Sequence, residues 1–437
     1  MTNHNPLEAF WLPFTANRQF KSAPRLFESA SGMYYRTVDG RDILDAIAGL
    51  WCVNAGHGQV PITRAIQAQA EKLDFVSSFQ MGHPAAFELA SRLAALAPDP
   101  LNHVFFTNSG SEAVDTALKI ARAYHVARGD ANRKRLIGRM KGYHGMGWGG
   151  LSVSGISRHR RDFGPLLPEV DHLSLPYLTD KSSFSKGEPE WGAHLANELL
   201  DLIALHDAST IAAVIVEPVT GSGGVYPPPK HYLKRLREIC SDHGILLIFD
   251  EVITGFGRLG TAFGADYFGV APDLMTIAKG MTNATVPMGG VLVADGVYDA
   301  FMRGSESQIE FFHGYTYSAH PLACAAGLAT LDVYRDQKIF DHAQTIAPVW
   351  ADAIHSLKSC PGVSDIRSIG LLAAIELEPG GDAGTARAAK CRELCFDDGV
   401  LIRVSGNNLV LSPPLIITED EMAKIASVIE RALRHAT

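Results

Sequence analysis

Three polar stretches in this chain, each following an apolar run, hold residue types that together could do chemistry on an amine. Lys279 ends the stretch Asp273-Leu274-Met275-Thr276-Ile277-Ala278-Lys279-Gly280. An ammonium at the end of a buried stretch has a depressed pKa, and the neutral amine so favoured attacks aldehydes. By itself the same lysine also fits an ordinary solvated side chain. Asp250 and Glu251 follow the apolar run 245–249 and lead into Val252-Ile253-Thr254-Gly255-Phe256-Gly257-Arg258. A carboxylate there can hold a pyridine nitrogen protonated, because adjacent negative charge favours the cation. The pair alone equally fits a helix-capping acid or a Mg²⁺ ligand. The third stretch, Thr107-Asn108-Ser109-Gly110-Ser111-Glu112-Ala113, precedes a helical pattern through Ala117, Ile120, Ala121 and Tyr124. Such a helix start offers free N–H groups and a positive dipole end to a phosphate, with Gly110 allowing close approach and Ser111 adding a hydroxyl. An ordinary serine-capped helix is the alternative.

The elements that must position these residues read as a mainly parallel sheet covered by helices. Residues 103–106, 212–216, 245–249 and 290–293 are continuously apolar, as strands buried on both faces are. Between two of them, Leu233, Leu236, Ile239 and Cys240 fall on one face of a crossover helix over 230–243. Ligands in such sheets bind beyond the carboxyl ends of the strands, where the three polar stretches fall. The chain ends read differently. Residues 26–44 alternate and contain turn dipeptides, which predicts a small antiparallel sheet. Helical patterns from about residue 331 precede a strand near 370–377, and Thr418 with Glu421 forms a capping box for a last helix carrying Met422, Ile425, Ile429 and Leu433. The expected organisation is an α/β fold: a large cofactor domain over 51–330 and a smaller α+β domain built from 1–50 and 331–437.

Composition bounds the function. The chain has 437 residues, 46% hydrophobic and 20% charged, enough for a large core and near the globular average. A net charge of −8 argues against a nucleic-acid surface, which needs a concentrated basic face. The six cysteines lack metal-site spacing and are expected as reduced thiols. With no signal-like N-terminus and no long apolar run, a cytoplasmic protein without a membrane partner or metal is expected.

Taken in order, the phosphate-type loop, Tyr143-His144-Gly145, Glu217-Pro218, Asp250, Lys279 and His313-Gly314-Tyr315-Thr316-Tyr317-Ser318 resemble the class III, or ω-amino acid, aminotransferases of fold type I. The resemblance covers nearly the whole chain. Its most specific part is the 250–258 segment followed by Ala278-Lys279-Gly280, and the stretch 279–289 is similar to the β-alanine:pyruvate aminotransferases. It implies pyridoxal 5′-phosphate bound covalently to Lys279, which also shuttles the proton, with Asp250 paired to the pyridinium nitrogen. Gly110 and Ser111 would hold the phosphate, joined by Thr316 from the second subunit of a homodimer, or of a tetramer built from dimers. Tyr143 would stack on one ring face and Val252 pack on the other, with His144 beside them.

Substrate recognition departs from part of that family. Ornithine-type members carry an arginine just before the Pro-Pro-Leu segment, whereas Val410 stands there in Leu409-Val410-Leu411-Ser412-Pro413-Pro414-Leu415. The nearest replacement is Arg403, which resembles the mobile arginine of the ω-amino acid:pyruvate enzymes and whose planar fork suits a carboxylate. Trp51 corresponds to a pocket-wall aromatic in those enzymes, though a tryptophan after an apolar stretch is more often core. Glu217 has no evident partner and receives no catalytic role. The implied activity is a ping-pong transfer from β-alanine or related amines to pyruvate, giving an aldehyde or ketone and alanine. Aminomutase, racemase or dialkylglycine decarboxylase activity on the same scaffold, and a nucleotide-binding α/β protein without the cofactor, are the alternatives.

Overall fold

The computed structural model describes residues 7–379 and 382–436. At its centre lie Ile211–Val216 and Leu246–Asp250, strands buried at every position. Their nearly continuous apolar content, up to Asp250 at the end of the second, follows from having no face toward water. The sheet runs His103–Thr107, Gly289–Val293, Leu274–Ile277, Leu246–Asp250, Ile211–Val216 and Arg135–Met140, with Ser154–Gly155 and Val170–Leu173 both paired to the last. Gly289–Val293 is antiparallel to both neighbours, and every other pairing is parallel. Each of the four strands expected for the central sheet lies within one residue of its observed bounds, and the one expected near 370–377 spans Leu372–Leu377.

Arg135–Met140 escaped the sequence reading because two arginines interrupt its apolar run. Arg139 is nevertheless buried, and its guanidinium donates to the Glu217 carbonyl at 2.5 Å and to Thr220 Oγ1 at 2.8 Å. Acceptors for the Nη2 protons offset part of the cost of burying this cation.

The crossover helix spans Tyr232–Asp242 and buries the four residues expected of it. At the chain ends, Phe27–Ser31, Tyr34–Thr37 and Asp42–Asp45 form an antiparallel sheet. Val400–Leu401 joins this sheet parallel to Asp42–Asp45, with Leu401 opposite Asp45. Both chains therefore leave the sheet at the same end, one toward Trp51 and the other toward Arg403. A second small sheet contains Val363–Ile369, Leu372–Leu377, Asn408–Leu411 and Arg403–Ser405. The last helix, Glu419–His435, starts at the predicted box: Glu421 N donates to Thr418 Oγ1 at 3.3 Å, and Thr418 N to the Glu421 carboxylate at 3.0 Å. All six cysteines are free thiols. Among the described residues no helix is long and apolar enough to cross a membrane, and no cluster of three or more side chains could hold a metal ion.

Candidate active site

Asp250 ends its strand opposite Thr276 of the parallel neighbour. Its Oδ1 accepts from Val252 N at 3.2 Å and Thr276 Oγ1 at 3.1 Å, while Oδ2 lies 2.8 Å from His144 Nδ1. Glu251 turns the other way. Its carboxylate accepts from Gly264 N at 2.8 Å, from Ala265 N at 2.6 Å and from the Thr254 hydroxyl, so it caps the helix Gly264–Phe268. Burial pushes the Glu251 carboxyl up to about 7 despite these donors. The capping role left open for the acidic pair thus belongs to Glu251.

Lys279 follows the strand Leu274–Ile277 at the start of a tight turn, with φ +47. A lysine in that left-handed region is held there by its surroundings, as strained residues at functional sites are. Burial lowers the pKa of its ammonium and nearby Arg403 adds to the effect, while Cys52, Asp250 and Glu217 oppose it. The neutral amine required of a nucleophile is favoured accordingly.

The helix Gly110–Ala127 points its N-terminus at both segments: a Cβ on Gly110 would sit 3.0 Å from Val252 Cγ1 and 3.6 Å from Ala278 Cβ. Ser109 caps it by accepting from Glu112 N at 3.2 Å, and the Glu112 carboxylate accepts from Asn108 N at 2.7 Å. The N–H groups of Gly110 and Ser111 keep no partner among the described residues, which is the arrangement that receives an anion. Ser111 Oγ accepts from Met146 N at 3.2 Å. Gly145 permits this contact: its φ is +87, and a Cβ would lie 2.4 Å from Ser111 Oγ.

Two further groups close the site. Tyr143 is held by the buried Glu217, whose carboxylate accepts from Tyr143 N at 2.9 Å and Gly221 N at 2.8 Å. The missing partner of Glu217 is therefore backbone, which leaves no mark in residue types. The Tyr143 ring meets His159 edge-on at 5.4 Å, and His159 in turn meets Phe14 at 5.5 Å. Neither His159 nor Phe14 carried a sequence signal, because the contacts join short segments distant in sequence. Trp51 is buried, with Lys279 Nζ 5.5 Å and the Arg403 guanidinium carbon 5.1 Å from its ring centre. Arg403 lies on an edge strand directly opposite Val410.

Nine of the ten site residues expected from the sequence thus converge within this chain. Thr316 does not join them. It lies exposed in a turn near the helix Gly110–Ala127, with His313 Nε2 2.9 Å from Thr116 Oγ1.

The arrangement combines an anion seat, a fixed buried carboxylate, an amine whose charge is disfavoured, and an indole lying between that amine and a guanidinium. Residues 15–433 match the model of the family described as aminotransferase class-III. Over 429 residues the chain is 58% identical to an omega-aminotransferase of Caulobacter vibrioides, covering 98% of each chain. Over 430 residues it is 47% identical to a beta-alanine–pyruvate aminotransferase of Pseudomonas aeruginosa, covering 98% of this chain and 96% of the other. Among solved structures it superposes on a PLP-bound amine transaminase from an uncultivated Pseudomonas species with a TM-score of 0.89 at 36% identity, covering 98% and 99% of the two chains. The chain belongs to the class III aminotransferases, enzymes of fold type I that depend on pyridoxal phosphate.

Proposed function

We propose that this enzyme moves the amino group of β-alanine, or of other amines whose amino-bearing carbon lacks a carboxylate, to pyruvate. The observation that carries the reading is Arg403 lying opposite Val410 and over the Trp51 ring. A carboxylate held there would be gripped from a position one strand away from the arginine of ornithine-type members. Arg403 also has an aromatic face to rest on when an apolar amine occupies the site.

The residues fit the cofactor. The free N–H groups of Gly110 and Ser111, with the Ser111 hydroxyl, suit its phosphate. Asp250 suits its ring nitrogen, the Tyr143 and Val252 side chains its two faces, and Lys279 its aldehyde. When bound, pyridoxal phosphate supplies an electrophilic carbon for the amino group and a ring that takes up the electrons left by a lost proton. His144 keeps the Asp250 carboxylate in one orientation, so negative charge stays fixed at the ring nitrogen. Lys279 Nζ would take the proton from the amino-bearing carbon and return it to the carbon on the other side of the transferred nitrogen. Arg403 orients donors and acceptors through their carboxylates.

The proposal extends to a cytoplasmic homodimer, or a tetramer of dimers, in which the exposed Thr316 reaches the phosphate seat of the partner subunit. It also includes a division into a large domain over 51–330 and a smaller one from 1–50 and 331–437, a reading supported by the pairing of Asp42–Asp45 with Val400–Leu401.

The test is a pyruvate-coupled panel with β-alanine, 1-phenylethylamine and ornithine. Alanine formed from pyruvate with the first two supports the reading. Turnover of ornithine without either of them overturns it, and amine products formed without a keto acid would mark a mutase, racemase or decarboxylase instead.

A further inference from the structure

We propose that Asp45 is a positioning residue for donor selection, its carboxylate clamping the strained turn that presents Trp51 to Arg403. The inference rests on the reading of Trp51 and Arg403 as walls of the donor site. Asp45 is the last residue of its strand and is fully buried. Its Oδ1 accepts from Ile47 N at 3.0 Å and its Oδ2 from Gly49 N at 2.6 Å. His57 Nε2 lies 2.9 Å from the same Oδ2. The His57 backbone is itself fixed, exchanging hydrogen bonds with Gly32 at 2.8 and 3.0 Å.

The clamped turn is unusual. Ala48, Gly49 and Trp51 have φ of +48, +66 and +58, so three of four successive residues are left-handed and two of them carry side chains. Such backbone persists only where surrounding bonds over-determine it. A carboxylate accepting from two turn N–H groups, those of Ile47 and Gly49, is a strong form of such a bond. The far end of the turn carries the indole that Lys279 and Arg403 share.

The same point of the chain is tied to the route toward Arg403. Ala46 N donates to the Leu401 carbonyl at 3.0 Å, and Ser412 N to the Ala46 carbonyl at 2.8 Å. Asp45 therefore fixes the indole relative to the strand from which Arg403 projects. Loosening it should disturb how carboxylate donors are gripped, while leaving Lys279, Asp250 and the phosphate seat on the central sheet untouched.

The test compares wild-type holoenzyme with Asp45→Asn and His57→Gln. Asp45→Asn keeps the shape but turns one acceptor into a donor facing an N–H group. Its kcat with 1-phenylethylamine should stay within about twofold of wild type, while kcat/KM for β-alanine relative to 1-phenylethylamine falls about tenfold through KM. Binding of propionate, a carboxylate without an amine, should weaken by a similar factor in titration calorimetry of the holoenzyme. His57→Gln should shift both quantities in the same direction by less, and it carries the test if Asp45→Asn does not fold. An unchanged donor ratio with unchanged propionate affinity in a folded variant overturns the proposal, as does an equal fall in kcat for both donors at constant KM. Wild-type enzyme that uses neither donor would overturn the functional reading instead, and propionate affinity would still report on the clamp.

Discussion

His144 Nδ1 lies 2.8 Å from Asp250 Oδ2, and both side chains are buried. The contact joins the loop after the strand Arg135–Met140 to the end of a middle strand, 106 positions apart in sequence. With Val252 N and Thr276 Oγ1 on the other oxygen, Asp250 is held from three directions before any ligand arrives. A carboxylate fixed in this way does not reorganise as charge develops opposite it, which is where electrostatic catalysis gains most.

Asp250→Asn should therefore lower kcat by on the order of 10²-fold or more, because the fixed charge is lost while its shape remains. His144→Phe, which removes one of the three holders, should lower kcat by about tenfold. Single-turnover absorbance with β-alanine separates this from loss of cofactor, since Gly110, Ser111 and Lys279 remain. Retention of more than a tenth of the wild-type rate in Asp250→Asn would contradict the assignment.

Lys279 should show its lowered pKa in the apoprotein. The ordinary lysine value is 10.5, and burial moves this one down. At any pH below that value a larger fraction is neutral amine, so acylation at Lys279 should reach its plateau at lower pH than at surface lysines. Peptide mapping after brief acylation between about pH 6 and 10 reads this directly. A Lys279 profile superimposable on those of Lys134 and Lys390 would show that the site exerts no such effect.

Gly145→Ala tests the phosphate seat. The added carbon would lie 2.4 Å from Ser111 Oγ and 2.7 Å from Ser111 Cα, at a φ of +87 that alanine resists. Ser111 must move, and the dissociation constant for pyridoxal phosphate should rise about 10- to 100-fold. Equilibrium dialysis of the apoprotein measures it, and unchanged affinity would place the phosphate elsewhere.

Arg403→Leu should lower kcat/KM for β-alanine by about 30- to 100-fold, the worth of a charge-assisted hydrogen bond, and change that for 1-phenylethylamine by less than about threefold. Steady-state kinetics with both donors decides the point. Parallel losses for the two would mean that Arg403 supports the fold rather than the carboxylate.

What the sequence disclosed depended on whether a residue type carries its own chemistry. Lys279, Asp250 and the Ser109-Gly110-Ser111 turn stand just beyond strands that are mostly apolar, so both the strands and the polar step beyond them could be read. Arg135–Met140 could not, since its buried Arg139 finds backbone and hydroxyl acceptors that only the folded chain brings near. Glu217 was visible as a residue but not as a contact, its partners being the backbone of Tyr143 and Gly221. Asp45 went unread for the same reason: its acceptors serve two N–H groups of a left-handed turn, and φ is not written in residue names. His159 meets Tyr143, and Phe14 meets His159, between segments too short and too far apart in sequence for any periodicity to be counted.

His355 makes a separate prediction about stability in acid. Burial, with Lys186 acting in the same direction, lowers its pKa from 6.5 to about 4, while Asp365 and Asp352 oppose the shift. Its Nε2 lies 3.1 Å from Ser368 Oγ, on a strand of the C-terminal sheet. Between about pH 6.5 and 4 the unfolded chain binds a proton at this position that the folded chain resists, so folding stability falls as pH drops through that window. Replacement by glutamine, which cannot be protonated, removes this contribution and leaves a hydrogen-bonding side chain. The urea midpoint of His355→Gln minus that of wild type should therefore be more positive at about pH 5 than at about pH 7.5. A difference independent of pH would mean that His355 takes up its proton as readily in the folded chain as in the unfolded one.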